Sequence, residues 1–397
     1  MTTPTDHDEV RERIDELQRR ALVIGVVALV VCFVAAWFTP SQFFRSYLVA
    51  FLFWSGIPLG CLVVLMLHYL VAGGWGFLIR RPLESATRTF PLVALLVVPI
   101  LVGMSSLYIW VHADAVARDA LLQHKHVYLN VPFFVARTIA YFVIWIVLAG
   151  VLNRWSDDQD RTGEPAAARR LYALSGPGIV IYGLTVTFAS LDWVMSLEPD
   201  WFSTIYSAVF MLGQVLSAMA FVTAMLMLLI AAKPLAEIAS PQHLIDLGNM
   251  LLAFVILWAY VAFSQFLIIW SGDLPDEISW YVHRVRGGWQ WIAACLIVGH
   301  FALPFLLLLS RDIKQRVRYL ALLAAALLVM RFIDMVWNVD PAFDTAGFRF
   351  HWLDVMAAIG VGGVWIAGFL ARLKRRPLLP LHDPDLPGVI AAAEGAR

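Results

Sequence analysis

Arg331 and Asp334 stand three residues apart inside an apolar run, and His351 and Asp354 repeat that spacing at the start of the next. An i, i+3 pair shares one helical face and permits an ion pair. A charged group inside a membrane span costs about 2.5–3.5 kcal/mol on insertion scales, so each needs a partner or a wet cavity. Arg137, a few residues into its own apolar run, and Asp192, closing another, fall near the same depth by count. These six residues are expected to meet at one outer level. The chemistry would be an outlet for protons or a polar pocket for a quinone head. The competing expectation is a structural ion-pair network that fixes helix packing.

A sparser inner group comprises His68, Glu84, Asp246 and His300. Taken singly, Glu84 and Asp246 read as interfacial residues. His300 is expected toward the cytoplasmic half of its span, between Gly299 and Pro304, where a helix can loosen and admit water. A lone histidine is otherwise a hydrogen-bonded packing residue. Tyr182, Gln214, Tyr260, Ser264 and Gln265 lie between the two groups, as a bridge for a water wire or as polar glue between helices. Haem b needs two histidines facing each other at matching depth, and His68 and His300 offer no such match. Cys32, Cys61 and Cys295 each sit in an apolar run, with no C-x-x-C spacing. That argues against an iron–sulfur cluster or covalent haem on this chain.

The elements that must position these residues are membrane spans. The chain of 397 residues is 61% hydrophobic and only 15% charged, with mean hydropathy +0.76. Soluble domains carry about 25% charged residues, so the expected class is an all-α polytopic membrane protein in a lipid bilayer. Net charge is zero, which argues against a nucleic-acid partner. At about 20 residues per crossing, ten spans are expected. They are 21–38, 47–70, 89–110, 131–152, 171–189, 205–230, 247–270, 289–309, 319–337 and 351–373.

Arginine and lysine alternate strongly between the loops. Arg11, Arg13, Arg19, Arg20, Arg80, Arg81, Arg88, Arg154, Arg161, Arg169, Arg170, Arg311, Lys314, Arg316, Arg318 and Arg372–Arg376 fall on one side; Lys233 weakens the bias at its loop. The positive-inside bias makes that side, with both termini, cytoplasmic. Most tryptophans collect at the other side. There Ser190–Thr204 joins two spans and carries Asp192, Glu198 and Asp200 with no lysine or arginine, flanked by Trp193 and Trp201. So dense a set suggests a structured lip that something docks on, rather than an ordinary loop.

No cleaved signal is expected at the N-terminus. Residues 1–20 read as a cytoplasmic amphipathic segment, with Val10, Ile14 and Leu17 on one face as an interfacial lead-in. Residues 21–376 form the membrane domain and 377–397 an extended cytoplasmic tail. Residues 153–170, charged and turn-rich, read as a flexible loop. No soluble domain of useful size is expected on either side.

Five stretches carry a resemblance. They are Gly73-Gly-Trp-Gly-Phe-Leu-Ile-Arg-Arg-Pro-Leu-Glu84, Leu191-Asp-Trp-Val-Met-Ser-Leu-Glu-Pro199, Trp201-Phe-Ser-Thr204, Ser264-Gln-Phe-Leu-Ile-Ile-Trp-Ser-Gly272 and Gly287-Gly-Trp-Gln-Trp291. In this order they resemble the F-type membrane subunit of bacterial alternative complex III, which is similar to the NrfD/polysulfide-reductase anchor family. The likeness runs from His68 to Asp354. It implies an NrfD-like core of two four-helix bundles with additional helices, in the bacterial inner membrane, within a quinol:cytochrome c oxidoreductase. Implied partners are iron–sulfur and multihaem cytochrome c subunits on the external face and a sister NrfD-like membrane subunit. Haem c and the iron–sulfur clusters belong to those partners, and this chain binds no cofactor unless quinone or menaquinone. Subunits of this type are named quinone-binding by similarity, with the sister subunit the better candidate for quinol oxidation, and are proposed to hold proton half-channels. Two other functions fit the residues: a secondary transporter, and an NrfD-type quinol-binding anchor for another iron–sulfur oxidoreductase.

Overall fold

A computed structural model describes residues 4–71, 74–230, 235–344, 347–380 and 383. Lys233, Gly73 and most of the tail lie outside the described residues, as does the side chain of Val10. Among the described residues the fold is helical, with no strand. Twelve helices organise it: α1 (Pro4–Phe38), α2 (Pro40–Val71), α3 (Gly74–Thr87), α4 (Phe90–Val102), α5 (Val131–Thr162), α6 (Pro165–Trp193), α7 (Tyr206–Leu229), α8 (Pro241–Gly272), α9 (Pro275–Arg284), α10 (Trp289–Leu309), α11 (Val317–Val339) and α12 (Trp352–Leu373). Nine of the described helices are long and apolar enough to cross a membrane, or ten if the bent pair α3–α4 is one span. The chain is an all-α, multi-pass membrane protein.

Burial ranks the helices. The most apolar window of α2 is 89% buried, against 17% for α1 and 22% for α8 and α10. A helix apolar all round belongs in a protein core or in lipid, and α2 is enclosed by α6, α7, α11, α12 and α3. Helix α7 is its main neighbour and also packs on α8 and α11; α5 and α6 pair on one side. Helices α1 and α12 close another side at short range. A Cβ on Gly25 would lie 2.6 Å from the Val364 amide nitrogen, so only glycine allows the approach.

Helix ends follow from local chemistry. Asn130 caps α5 by accepting from the Phe133 amide, and a proline follows at its first turn. Ser240 and His243 form a capping box on α8, and His351 and Asp354 form one on α12.

Four expectations change. The stretch 89–110 is not one straight span: α3 and α4 meet at a 43° bend, and a short helical turn follows at Met104–Leu107. Residues 153–162 are not a flexible loop but the last three turns of α5. The break is at Gly163, whose φ of 66° ends the helix, and Pro165 starts the next. The N-terminal segment is continuous with the first span in α1; Ile14 is buried but Leu17 is exposed, so the expected stripe is not one apolar face. The start of the tail is packed: Leu379 is buried.

Candidate functional site

At the arginine-rich end, the start of α1 and the end of α12 meet through Lys374 and Asp15, 2.5 Å apart. Glu84 is the hub there and is fully buried. It accepts from Arg80 (2.9 Å), Arg81 (2.7 Å), Ser156 (2.6 Å), Tyr69 (3.2 Å) and Arg376 (3.3 Å). Arg80 also binds Gln159 at 2.7 Å and pairs with Asp383; Arg81 binds Asp160 at 2.5 Å. Arg376 pairs with Asp157 as well. Burial pulls the Arg376 pKa down to about 10, with Glu84 opposing that shift. Glu84 is therefore the buried hub of an ion-pair network. Helical spacing explains it: Arg80, Arg81 and Glu84 share one face of α3, and Ser156, Gln159 and Asp160 present the facing turn of α5.

Among the described residues no hydrogen bond or ion pair joins the other inner residues to this hub. His68 is buried between Tyr69 and Trp75, each ring centroid 5.7 Å away, with its Nδ1 unbonded. Asp246 is half-buried near the start of α8 and accepts from Gln242 at 2.8 Å. His300 lies elsewhere, against Trp258, which is near the middle of α8. His300 lies near the middle of α10.

The outer six divide into three clusters. Asp192 is buried at the end of α6 and takes both prongs of Arg137, at 2.9 and 2.7 Å, plus the Tyr141 hydroxyl at 2.7 Å. Such bidentate geometry fixes the carboxylate. The Arg137 guanidinium also lies 3.8 Å from the Tyr128 ring centroid. Asp354 accepts from Ser46, from Gln42 at 3.3 Å and from the His351 amide at 3.2 Å. His351 in turn accepts from the Leu353 amide, a capping role. Arg331 and Asp334 form the expected ion pair, yet among the described residues no hydrogen bond or ion pair joins them to Asp354. Asp354 sits in the first turn of α12, whereas Arg331 lies eight residues from the end of α11, about 12 Å below that end at 1.5 Å per residue. Among the described residues the six therefore form three bonded clusters rather than one network.

Arg331 instead faces α7, where its Nε reaches Ser217 at 3.4 Å. A void too narrow for a water molecule is lined there by Gly56, Gln214, Ser217 and Arg331. Tyr182 donates to Gln214 at 2.8 Å, so these two bridging residues do meet. Tyr260 and Gln265 do not join them. Tyr260 is 67% exposed on the outer face of α8, and Gln265 contacts Tyr281 at 3.4 Å.

Sequence reasoning missed one buried outer contact. Arg284, fully buried at the end of α9, donates to Glu198 at 2.8 Å and to the carbonyls of Trp280, Trp337 and Asn338 at 2.9, 3.2 and 2.9 Å. Burial lowers the Arg284 pKa, and Glu198 opposes that shift. Trp201 stacks on Trp280 with centroids 4.9 Å apart. Asn338 also donates to Asp334 at 3.2 Å, joining the outer segment to the mid-depth pair. Asp340, likewise missed, is buried with Oδ1 unbonded. The available signal was an arginine on the arginine-poor side beside an acid-rich loop. No family model matches the chain, and no curated protein matches it.

Proposed function

We propose that this chain is an integral membrane subunit of a bacterial quinol:cytochrome c oxidoreductase of the alternative complex III type. It carries no redox centre and supports quinol oxidation as the membrane platform on which the electron-carrying subunits dock. The reading includes an inner-membrane location with both termini cytoplasmic, supported by the arginine bias and by the meeting of α1 and α12 at one end.

One observation carries it. The resembling stretch 191–204 is a built surface: Asp192, Trp193 and Trp201 are buried, and Glu198 is pinned by Arg284. A solvated loop has no need of a buried arginine beneath it, whereas a docking lip has to hold its shape. Large aromatic side chains stand exposed around that end, among them Phe202, Trp270, Trp291 and Phe350. Aromatic residues are enriched at protein interfaces as well as in membrane girdles. Glu84, Arg137, Asp192, Arg331 and Asp334 are held in ion pairs, which supports scaffold over conduit.

The test is a tagged chain purified from its native membrane in mild detergent. Copurified c-type haem absorbance with quinol:cytochrome c reductase activity is expected. A monodisperse chain, free of haem and of other subunits, would overturn the reading and return the transporter hypothesis.

A further inference from the structure

Both ring nitrogens of His300 and the indole nitrogen of Trp258 are buried without a hydrogen-bond partner. The two rings meet edge to face with centroids 4.1 Å apart, so these three polar atoms belong to one place between α8 and α10. His300 is fully buried there. The backbone is also irregular: 296–302 is π-helical with His300 inside it, and Pro304 removes one amide donor from the same turn. Single π-turns concentrate at functional sites.

Polar groups left unpaired in a buried, apolar surrounding are costly, and the bilayer core offers no solvent to relieve them. Neutral imidazole has one donor and one acceptor, and indole has one donor. An oxygen that accepts the indole N–H and donates its own O–H to the bare imidazole nitrogen satisfies two of these three groups. We propose that His300 and Trp258 form a binding site for a small neutral O–H group, supplied by a water molecule or by a quinol hydroxyl. Access is short, because Leu257 and Tyr260 on α8 and Ile297 and Val298 on α10 are exposed on the adjoining surface. The site stands apart from the oxidoreductase reading, since water fills it equally well in any membrane protein.

Radiolytic labelling with heavy-oxygen water, on the protein purified with whatever subunits accompany it, tests the first source. Trp145 and Trp365, fully buried where Trp258 keeps 7% exposure, are references whose indoles donate to Thr185 and Thr89 at 2.9 Å, and His300→Leu controls for that difference in exposure. With bound water, Trp258 is oxidised severalfold faster than both. With a quinol, an azidoquinone probe cross-links to α8 or α10 and excess quinol suppresses the product. His300→Leu removes either signal, and His300→Gln, which keeps a donor and an acceptor, retains it. If Trp258 labels no faster than its references and no cross-link forms, the contact is a dry aromatic pair and the proposal fails. Signals unchanged in His300→Leu also overturn it; should that variant not assemble, the wild-type comparison and His300→Gln still decide.

Discussion

Glu198 and Arg284, 86 residues apart in the chain, close on each other at 2.8 Å beneath the outer lip. The arginine is fully buried, while the carboxylate side chain keeps 17% exposure. The pair thus has one end in the core and one at the surface. Because Arg284 also donates to the Asn338 carbonyl, and the Asn338 amide donates to Asp334, the lip is continuous with the pair inside α11.

That asymmetry sets the first prediction. Arg284→Met strands three carbonyls as well as Glu198, and breaking a buried pair from one side costs about 3–5 kcal/mol. Glu198→Gln leaves Arg284 bound to the carbonyls of Trp280, Trp337 and Asn338, so its cost is smaller. Thermal unfolding in detergent should rank Arg284→Met clearly below Glu198→Gln. The reverse order would mean that the carbonyl contacts contribute little.

A second prediction separates two acids once expected to act together. Asp334→Asn should be more damaging than Asp334→Asn combined with Arg331→Gln, because the single change leaves a buried guanidinium alone. Asp334→Asn and Asp354→Asn share no partner, so their effects on the yield of folded protein should add within about 0.5 kcal/mol. A large coupling energy between Asp334 and Asp354 would restore the single outer network.

Much of the fold was legible because hydropathy dominates in a bilayer: among the described residues nine of the ten apolar runs became spanning helices, and only 89–110 is broken. The Arg331–Asp334 pair was legible for the same reason, since the penalty on a bare charge restricts its choices and i, i+3 spacing supplies a partner. Charge misled at residues 153–162. There Asp157 and Asp160 read as solvated, yet Arg88 and Arg81 from a distant part of the chain neutralise them inside a helix. Facing was the other failure. Helix α8 is apolar on every side, so its period cannot say that Tyr260 points outward and Trp258 inward. Arg137 and Asp192 met as expected, but only tertiary structure shows Tyr141 completing their site.

The tail is predicted to act as a strap. Asp383 pairs with Arg80, the Leu379 side chain is buried, and Arg376 binds both Glu84 and Asp157. Removing residues 377–397 should raise hydrogen exchange across α3 and the end of α5, while α7 and α11 keep their protection. Equal exchange in α3 with and without the tail would show that Arg376 alone closes the hub.

The last prediction concerns how Arg331 is held. Gly213 on α7 faces its guanidinium, and a Cβ at that position would overlap the Nη atoms, whereas a Cβ on Gly183 of α6 meets nothing within 4 Å. Both positions are helical, so alanine carries the same gain in backbone propensity at each, about 0.5–1 kcal/mol. Only Gly213→Ala also displaces Arg331 from Ser217 and strains its pairing with Asp334. Gly183→Ala should therefore leave the unfolding temperature unchanged or higher, and Gly213→Ala should lower it. Combining Gly213→Ala with Arg331→Met and Asp334→Leu removes both charges and the clash, and should recover part of the loss. If Gly213→Ala proves as harmless as Gly183→Ala, the guanidinium is free to move. The polar contacts linking Asp334 to the outer lip would then not depend on the position of Arg331.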